Sequence, residues 1–197
     1  EDYELGLKLA EFDARQAFVR ITAGTHLVCT REYFPRRFGD AVSQKARWMT
    51  GIALSGWDRL GWRGGLAERW MRLRDRQSLL AAVLLACGYL SLALWAVLKL
   101  PELMTDWEPR PVSALLALIL AINSALLVWR LGMRFAFCTH VHGWRQGLLS
   151  IPRVVISNAV SICAAWRALA RYRAIRRGAG THWDKTAHIF PAEVPAE

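Results

Sequence analysis

Apolar and polar positions divide this 197-residue chain into two stretches of different character. Up to residue 78 the apolar positions recur with helical or strand-like spacing. Beyond it they run together in lengths that suit a lipid bilayer. In residues 1–20, Leu5, Leu9, Phe12 and Ala17 fall near one helical face, which predicts a helix. Gly24 to Thr30 is rich in β-branched residues and reads as a strand, broken by Phe34-Pro35. Ala41 to Leu54 reads as a second helix. Residues 57–78 place Leu66, Trp70, Leu73 and Gln77 on one side of a helix, with Arg59, Arg63, Arg69, Arg72, Arg74 and Arg76 around them. An apolar stripe set among arginines predicts a helix lying on a membrane surface; a solvated linker helix is the alternative.

Leu79 to Leu100 is 22 residues whose one charge is Lys99, and Val112 to Trp129 is 18 residues with none. At about 1.5 Å per residue each can cross a hydrocarbon core of about 30 Å. Both are expected to be transmembrane helices. A third apolar run, Leu148 to Trp166, has Arg153 near its start and five arginines shortly after it. At about 100° per residue, Arg153, Ser157, Arg167 and Arg171 share one face, while Ile151, Val155, Ile162, Trp166 and Leu169 share the opposite one. An interfacial amphipathic helix is the expectation there, with Pro152 tolerated in its first turn, and a third span is the alternative.

Charge gives this pattern a direction. The loop 101–111 carries Glu102, Asp106, Glu108 and one arginine, whereas residues 57–78 hold six arginines and residues 130–177 hold nine and no acid. The positive-inside rule places both flanks in the cytoplasm and the short loop outside. The net charge of +10 would also suit nucleic acid, but the basic residues flank apolar segments and no nucleic-acid-binding motif accompanies them. Trp95, Trp107, Trp129, Trp144 and Trp166 stand near the ends of apolar runs or beside arginines, as headgroup-level rings do. Cys29, Cys87, Cys138 and Cys163 form no CxxC pair and read as small buried hydrophobes. His140 and His142, two apart, cannot share a helix face, and no metal site is expected in the chain. Two spans without a charged or broken centre make no transport path.

Candidate chemistry lies in the first 50 residues. Gln44-Lys45-Ala46-Arg47-Trp48 puts an amide, a guanidinium and an indole on one helical face. A guanidinium grips a diphosphate with two parallel hydrogen bonds, and an indole stacks on a sugar ring. Transfer of sugar from a nucleotide diphosphate needs both. Glu1-Asp2 opens a helix 42 residues earlier. A carboxylate there is held charged by the helix dipole and could accept a proton from an attacking hydroxyl, although ordinary acidic capping of a helix start accounts for it as well.

Together these resemble the membrane-bound family 2 glycosyltransferases, in which a Thr-Glu-Asp motif, a QxxRW motif and transmembrane helices follow one another. Glu1-Asp2 would close the first motif, its threonine lying before the chain, and Gln44, Arg47 and Trp48 match the second. Glu32-Tyr33-Phe34-Pro35, Trp57, Gly61-Trp62, Arg74-Asp75-Arg76, Trp183-Asp184-Lys185-Thr186, His188 and Phe190-Pro191 extend the resemblance to the phage adsorption protein B branch.

The resemblance implies inverting transfer on a GT-A fold. Asp2, beside Glu1, would act as general base, Arg47 would hold the diphosphate and Trp48 would stack on the acceptor. A divalent cation, Mg2+ or Mn2+, would be bound by upstream residues outside this chain. The expected partners are a nucleotide-sugar donor, a glycan acceptor and the lipid bilayer. Export would draw on further helices, oligomerisation or an outer-membrane partner. Members of the branch often continue into a cyclic di-GMP-binding module, to which residues 178–197 would link.

The expected architecture is therefore a mainly α membrane-protein fragment. Residues 1–56 form the C-terminal part of a GT-A-like α/β catalytic domain, and 57–78 an Arg-rich interfacial helix. Residues 79–129 form a transmembrane hairpin (79–100 and 112–129), 130–177 a cytoplasmic interfacial region and 178–197 a polar tail. The expected setting is a bacterial inner membrane, with the active site and C-terminus cytoplasmic. A membrane scaffold or docking subunit of an export machine, without transferase activity, is the alternative function.

Overall fold

A computed structural model describes residues 2–12, 14, 17, 19–24, 26–28, 34–102 and 112–180. The described residues are mostly helical: α1 (Asp2–Glu11), β1 (Thr22–Ala23), β2 (His26–Leu27), α2 (Phe38–Met49), a π-helical segment (Thr50–Ser55), α3 (Gly56–Leu60), α4 (Leu66–Glu102), α5 (Ala114–His142), α6 (Trp144–Ser150) and α7 (Arg153–Arg176). They divide into two compact units, one of Glu1–Val83 with Val160–Glu197 and one of Leu84–Ala159.

In the first unit, the helix expected over 1–20 ends at Glu11. Val19, Ile21 and Thr22 are β-branched and favour extended backbone. The strand expected over Gly24–Thr30 is instead an antiparallel pair, with Thr22 opposite Leu27 and Ala23 opposite His26. Gly24, at φ +63°, supplies the left-handed turn that splits it. The helix expected over Ala41–Leu54 starts earlier, at Phe38, and turns from α to π geometry at Thr50. The Thr50 hydroxyl donates to the Ala46 carbonyl (2.8 Å) where the change begins. At its end Gly56 is obligatory, because a Cβ there would lie 2.4 Å from the Gly51 carbonyl oxygen.

The small core joins α2 to α7. Val42, Ala46 and Met49 pack with Ala82, Ala164, Ala165 and Ala168. The buried face of α7 is thus a stripe of small residues that starts within the arginine face at Ala164 and reaches toward the apolar face through Ala168 and Ala165. Small side chains let two helix backbones approach closely. Val155 and Trp166 of the apolar face are exposed.

Residues 57–78 do not form a separate helix. Gly61, at φ +53°, ends α3, and α4 then runs from Leu66 through the apolar stretch, with no helix breaker between Arg76 and Leu79. Arg72 and Arg76 are buried, while Leu66, Trp70 and Leu73 are exposed.

The second unit displays its apolar side chains. α5 has no buried residue. Its polar groups are settled locally: the Ser113 Oγ accepts from the Leu116 amide (3.4 Å), and the Asn123 Nδ2 donates to the Ile119 carbonyl (2.9 Å). α6 folds back on α5 at Gly143, φ +83°, and Gly147 permits the approach, since a Cβ there would lie 2.0 Å from the Thr139 Oγ1. The Arg134 Nε closes the corner on the Ser150 carbonyl (2.9 Å).

Among the described residues three helices are long and apolar enough to cross a membrane, Leu66–Leu100, Ala114–His142 and Arg153–Arg176. The third covers most of the run expected to be interfacial. Cys87 and Cys163 are exposed free thiols, a correction to the expected burial, because each lies on the outward side of a helix that covers little of its own surface; Cys29 is outside the described residues.

Candidate active site on the motif helix

α2 carries the Gln44–Trp48 motif, and its first turn contains Asp40, whose charge complements the helix dipole. Alanine and valine at 41, 42 and 46 turn one side of the helix into the core, leaving the motif residues at graded depths. Gln44 is 7% exposed and its Oε1 finds no donor among the described residues. Arg47 is half-buried, and Trp48 is 47% exposed with its ring edge-on to Phe34 at 6.4 Å. The indole is therefore not enclosed by the core. A buried carbonyl oxygen without a donor costs about 1–3 kcal/mol, a penalty that a ligand donor would remove.

Lys45, which the motif leaves unspecified, points the other way. Its Nζ donates to the Ser161 Oγ of α7 (2.6 Å), and burial pushes the ammonium below its ordinary pKa. Ser161 precedes the alanine stripe, so this bond and the core together fix α7 against the back of the motif helix. The Tyr172 hydroxyl donates to the Asp58 Oδ2 (2.6 Å) and ties α7 to α3 as well.

Of the carboxylates expected to act as base, Asp2 begins α1, but its side chain and Glu1 lie outside the described residues. Helix α1 is anchored to α3 by Glu4, whose Oε2 meets Arg59 at 3.0 Å. Hydrogen bonding from Lys8, with Arg59 adding to it, holds the Glu4 carboxyl below its usual range. Glu32, Tyr33, Asp106 and the segment Trp183–Pro191 also fall outside the described residues.

Behind α3 lies a cluster whose geometry the sequence did not announce. Arg72 is 1% exposed; its Nη1 donates to the carbonyls of Leu60 (2.7 Å) and Gly61 (3.3 Å), and its Nη2 to the Glu11 Oε1 (3.3 Å). Arg76, 4% exposed, donates to the Gly61 carbonyl (3.0 Å). Its guanidinium stands 4.5 Å from the Trp57 ring and 4.9 Å from the Trp62 ring, which meet edge to face at 5.0 Å. The rings' negative faces stabilise the charge that burial penalises. Burial, with the Asp75 carboxylate next in effect, pushes the Tyr3 phenol above its ordinary pKa. The available signal was the i, i+4 spacing of Arg72 and Arg76 opposite two tryptophans five residues apart.

Among the described residues no group of three His, Cys, Asp or Glu could hold a metal ion. These residues by themselves do not make a divalent-cation site.

The chain as a whole has counterparts among known proteins. The family model described as Glycosyl transferase family group 2 matches residues 1–170, and the chain belongs to that family. It is similar, at 31% identity over 98% of its length, to the Bacteriophage adsorption protein B of Escherichia coli strain K12. It is equally similar to the Bacteriophage N4 adsorption protein B of Escherichia coli O157:H7. The chain spans 29% of the length of each of these relatives. No solved structure matches it.

Proposed function

We propose that the chain is the acceptor-side, membrane-anchored part of an inverting glycosyltransferase. The whole protein moves a sugar from a nucleotide-diphosphate sugar to a growing glycan for cell-surface or exported polysaccharide. The observation that carries this reading is the family match over residues 1–170, which takes in α1 and α2 together. The buried Gln44 oxygen, which has no donor among the described residues, and the exposed Trp48 one turn along α2 support it.

In the proposed step the acceptor hydroxyl oxygen forms a bond to the anomeric carbon as the carbon–oxygen bond to the diphosphate breaks. Asp2, with Glu1 beside it, takes the hydroxyl proton and the nucleoside diphosphate leaves. Arg47 grips the diphosphate in a fork that lysine cannot reproduce, Gln44 accepts a hydrogen bond from the substrates and Trp48 stacks on the acceptor sugar. A divalent cation bound upstream would neutralise charge on the leaving group. The same reading places the protein in a bacterial inner membrane with Arg63, Arg145 and the site on the cytoplasmic side and Asp106 outside. Cyclic di-GMP control and an outer-membrane export partner belong to the reading as well.

The names of the two relatives favour one second reading, a membrane scaffold or docking subunit without transferase activity. Turnover of sugar nucleotides by the full-length protein separates the two. Asp2→Asn should fold, bind donor and lose about 10²–10⁴-fold in rate. Arg47→Lys should weaken transfer far more than folding. A full-length protein that binds no sugar nucleotide would decide for the scaffold.

A further inference from the structure

Arg72 is the most buried large side chain among the described residues, and its environment is exacting. A buried guanidinium is an expensive way to hold helices together, since apolar residues of similar volume commonly do as well or better. It earns its place when several acceptors at fixed angles must be held at once, which a planar fork does and an ammonium does not. Here those acceptors belong to two different elements. The carbonyls of Leu60 and Gly61 form the C-terminal end of α3, which continues directly from α2 and the π-helical segment. The Glu11 carboxylate is the last residue of α1. Arg76, one turn along α4, grips the same Gly61 carbonyl, and Trp57 and Trp62 hold its guanidinium in place.

We infer that Arg72 is a positioning residue for sugar transfer: it fixes α1, the helix that begins at Asp2, to the far end of the run that carries Gln44, Arg47 and Trp48. The inference rests on the transferase reading, with Asp2 as base. Arg72 touches no substrate. It sets where the base-bearing helix lies, and displacement of a reacting group by about 1 Å can cost about a hundredfold in rate.

The test uses the full-length membrane protein with Arg72→Lys, Arg72→Met and Glu11→Gln. Hydrogen exchange of the α1 amides and steady-state kinetics are measured on the same preparations. Arg72→Lys and Glu11→Gln should speed α1 exchange by about tenfold while α2 stays protected. They should lower kcat by about ten- to a hundredfold and leave the donor KM within about twofold. Should Arg72→Met fail to fold, the two milder variants still decide. Unchanged α1 exchange in both overturns the inference. So does exchange raised evenly in α1 and α2 with kcat per folded molecule intact, the pattern of a merely structural residue. A wild-type protein without turnover would sink the transferase reading instead, and the exchange data would still report whether Arg72 holds α1.

Discussion

The unit of residues 1–83 and 160–197 hides charge, whereas the unit of residues 84–159 displays carbon. The first buries Gln44, Thr50, Arg72 and Arg76 behind a core made largely of alanine. The second turns Leu115, Leu118 and Val128 outward along a helix with nothing buried. In water the second arrangement would expose a large apolar surface with no compensation. In a bilayer it is the low-energy state, since lipid tails are as apolar as leucine. The first unit displays apolar side chains too, Phe12, Leu66 and Trp70 among them, so the contrast lies in what each unit buries.

The sharpest way to break this contrast is a charge on each side of it. Leu120→Arg, at the middle of the uncharged run Val112 to Trp129, should cost about 2.5–3.5 kcal/mol of insertion free energy. It should shift the protein out of the carbonate-resistant membrane fraction. Leu5→Arg, on the exposed side of α1, should stay within about 0.5 kcal/mol. Equal behaviour of the two variants would end the distinction. A smaller effect is expected where the first unit is most tightly packed. Ala165→Leu forces three extra carbons between α7 and α2 and should destabilise that unit by about 1–3 kcal/mol, read as a lower melting temperature. Val155→Leu, on the exposed face of the same helix, should be silent.

The smallest effect follows from Lys45. Its ammonium titrates below the ordinary value of 10.5 in the folded chain because burial penalises the charge. Between that depressed value and 10.5 the unfolded chain holds more protons than the folded one, so stability should rise with pH across this window. Lys45→Met should flatten the rise in denaturation midpoints. A rise of equal slope in the variant would assign it to another group.

The long helices were legible in the sequence because uncharged runs of that length have few other uses. The motif helix was legible from its spacing and its residue types together. The face by which α7 packs was not. Ala164, Ala165 and Ala168 weigh little in any hydrophobic pattern, and the stronger apolar and arginine stripes drew attention away from them. The arginines of α4 misled in a second way. Arginine is ordinarily solvated, so Arg72 and Arg76 read like Arg63 and Arg69 until Leu60, Gly61, Trp57 and Trp62 are seen around them. The junction at residue 78 marked a change of composition, and a helix heeds breakers, of which there were none.

The π-helical segment has a consequence for how related chains are compared. In an unbroken α-helix, Trp57 would fall about 20° from Ala46, eleven residues earlier. At Ala46 that direction faces the alanines of α7. A π turn takes up roughly one residue more than an α turn, offsetting everything beyond it by about 100°. Trp57 accordingly lies beside Trp62 and Arg76. The extra residue acts as a phase shift between two otherwise ordinary helices. A homologue one residue shorter between Thr50 and Ser55 would align almost perfectly and yet present a different side chain to Arg76.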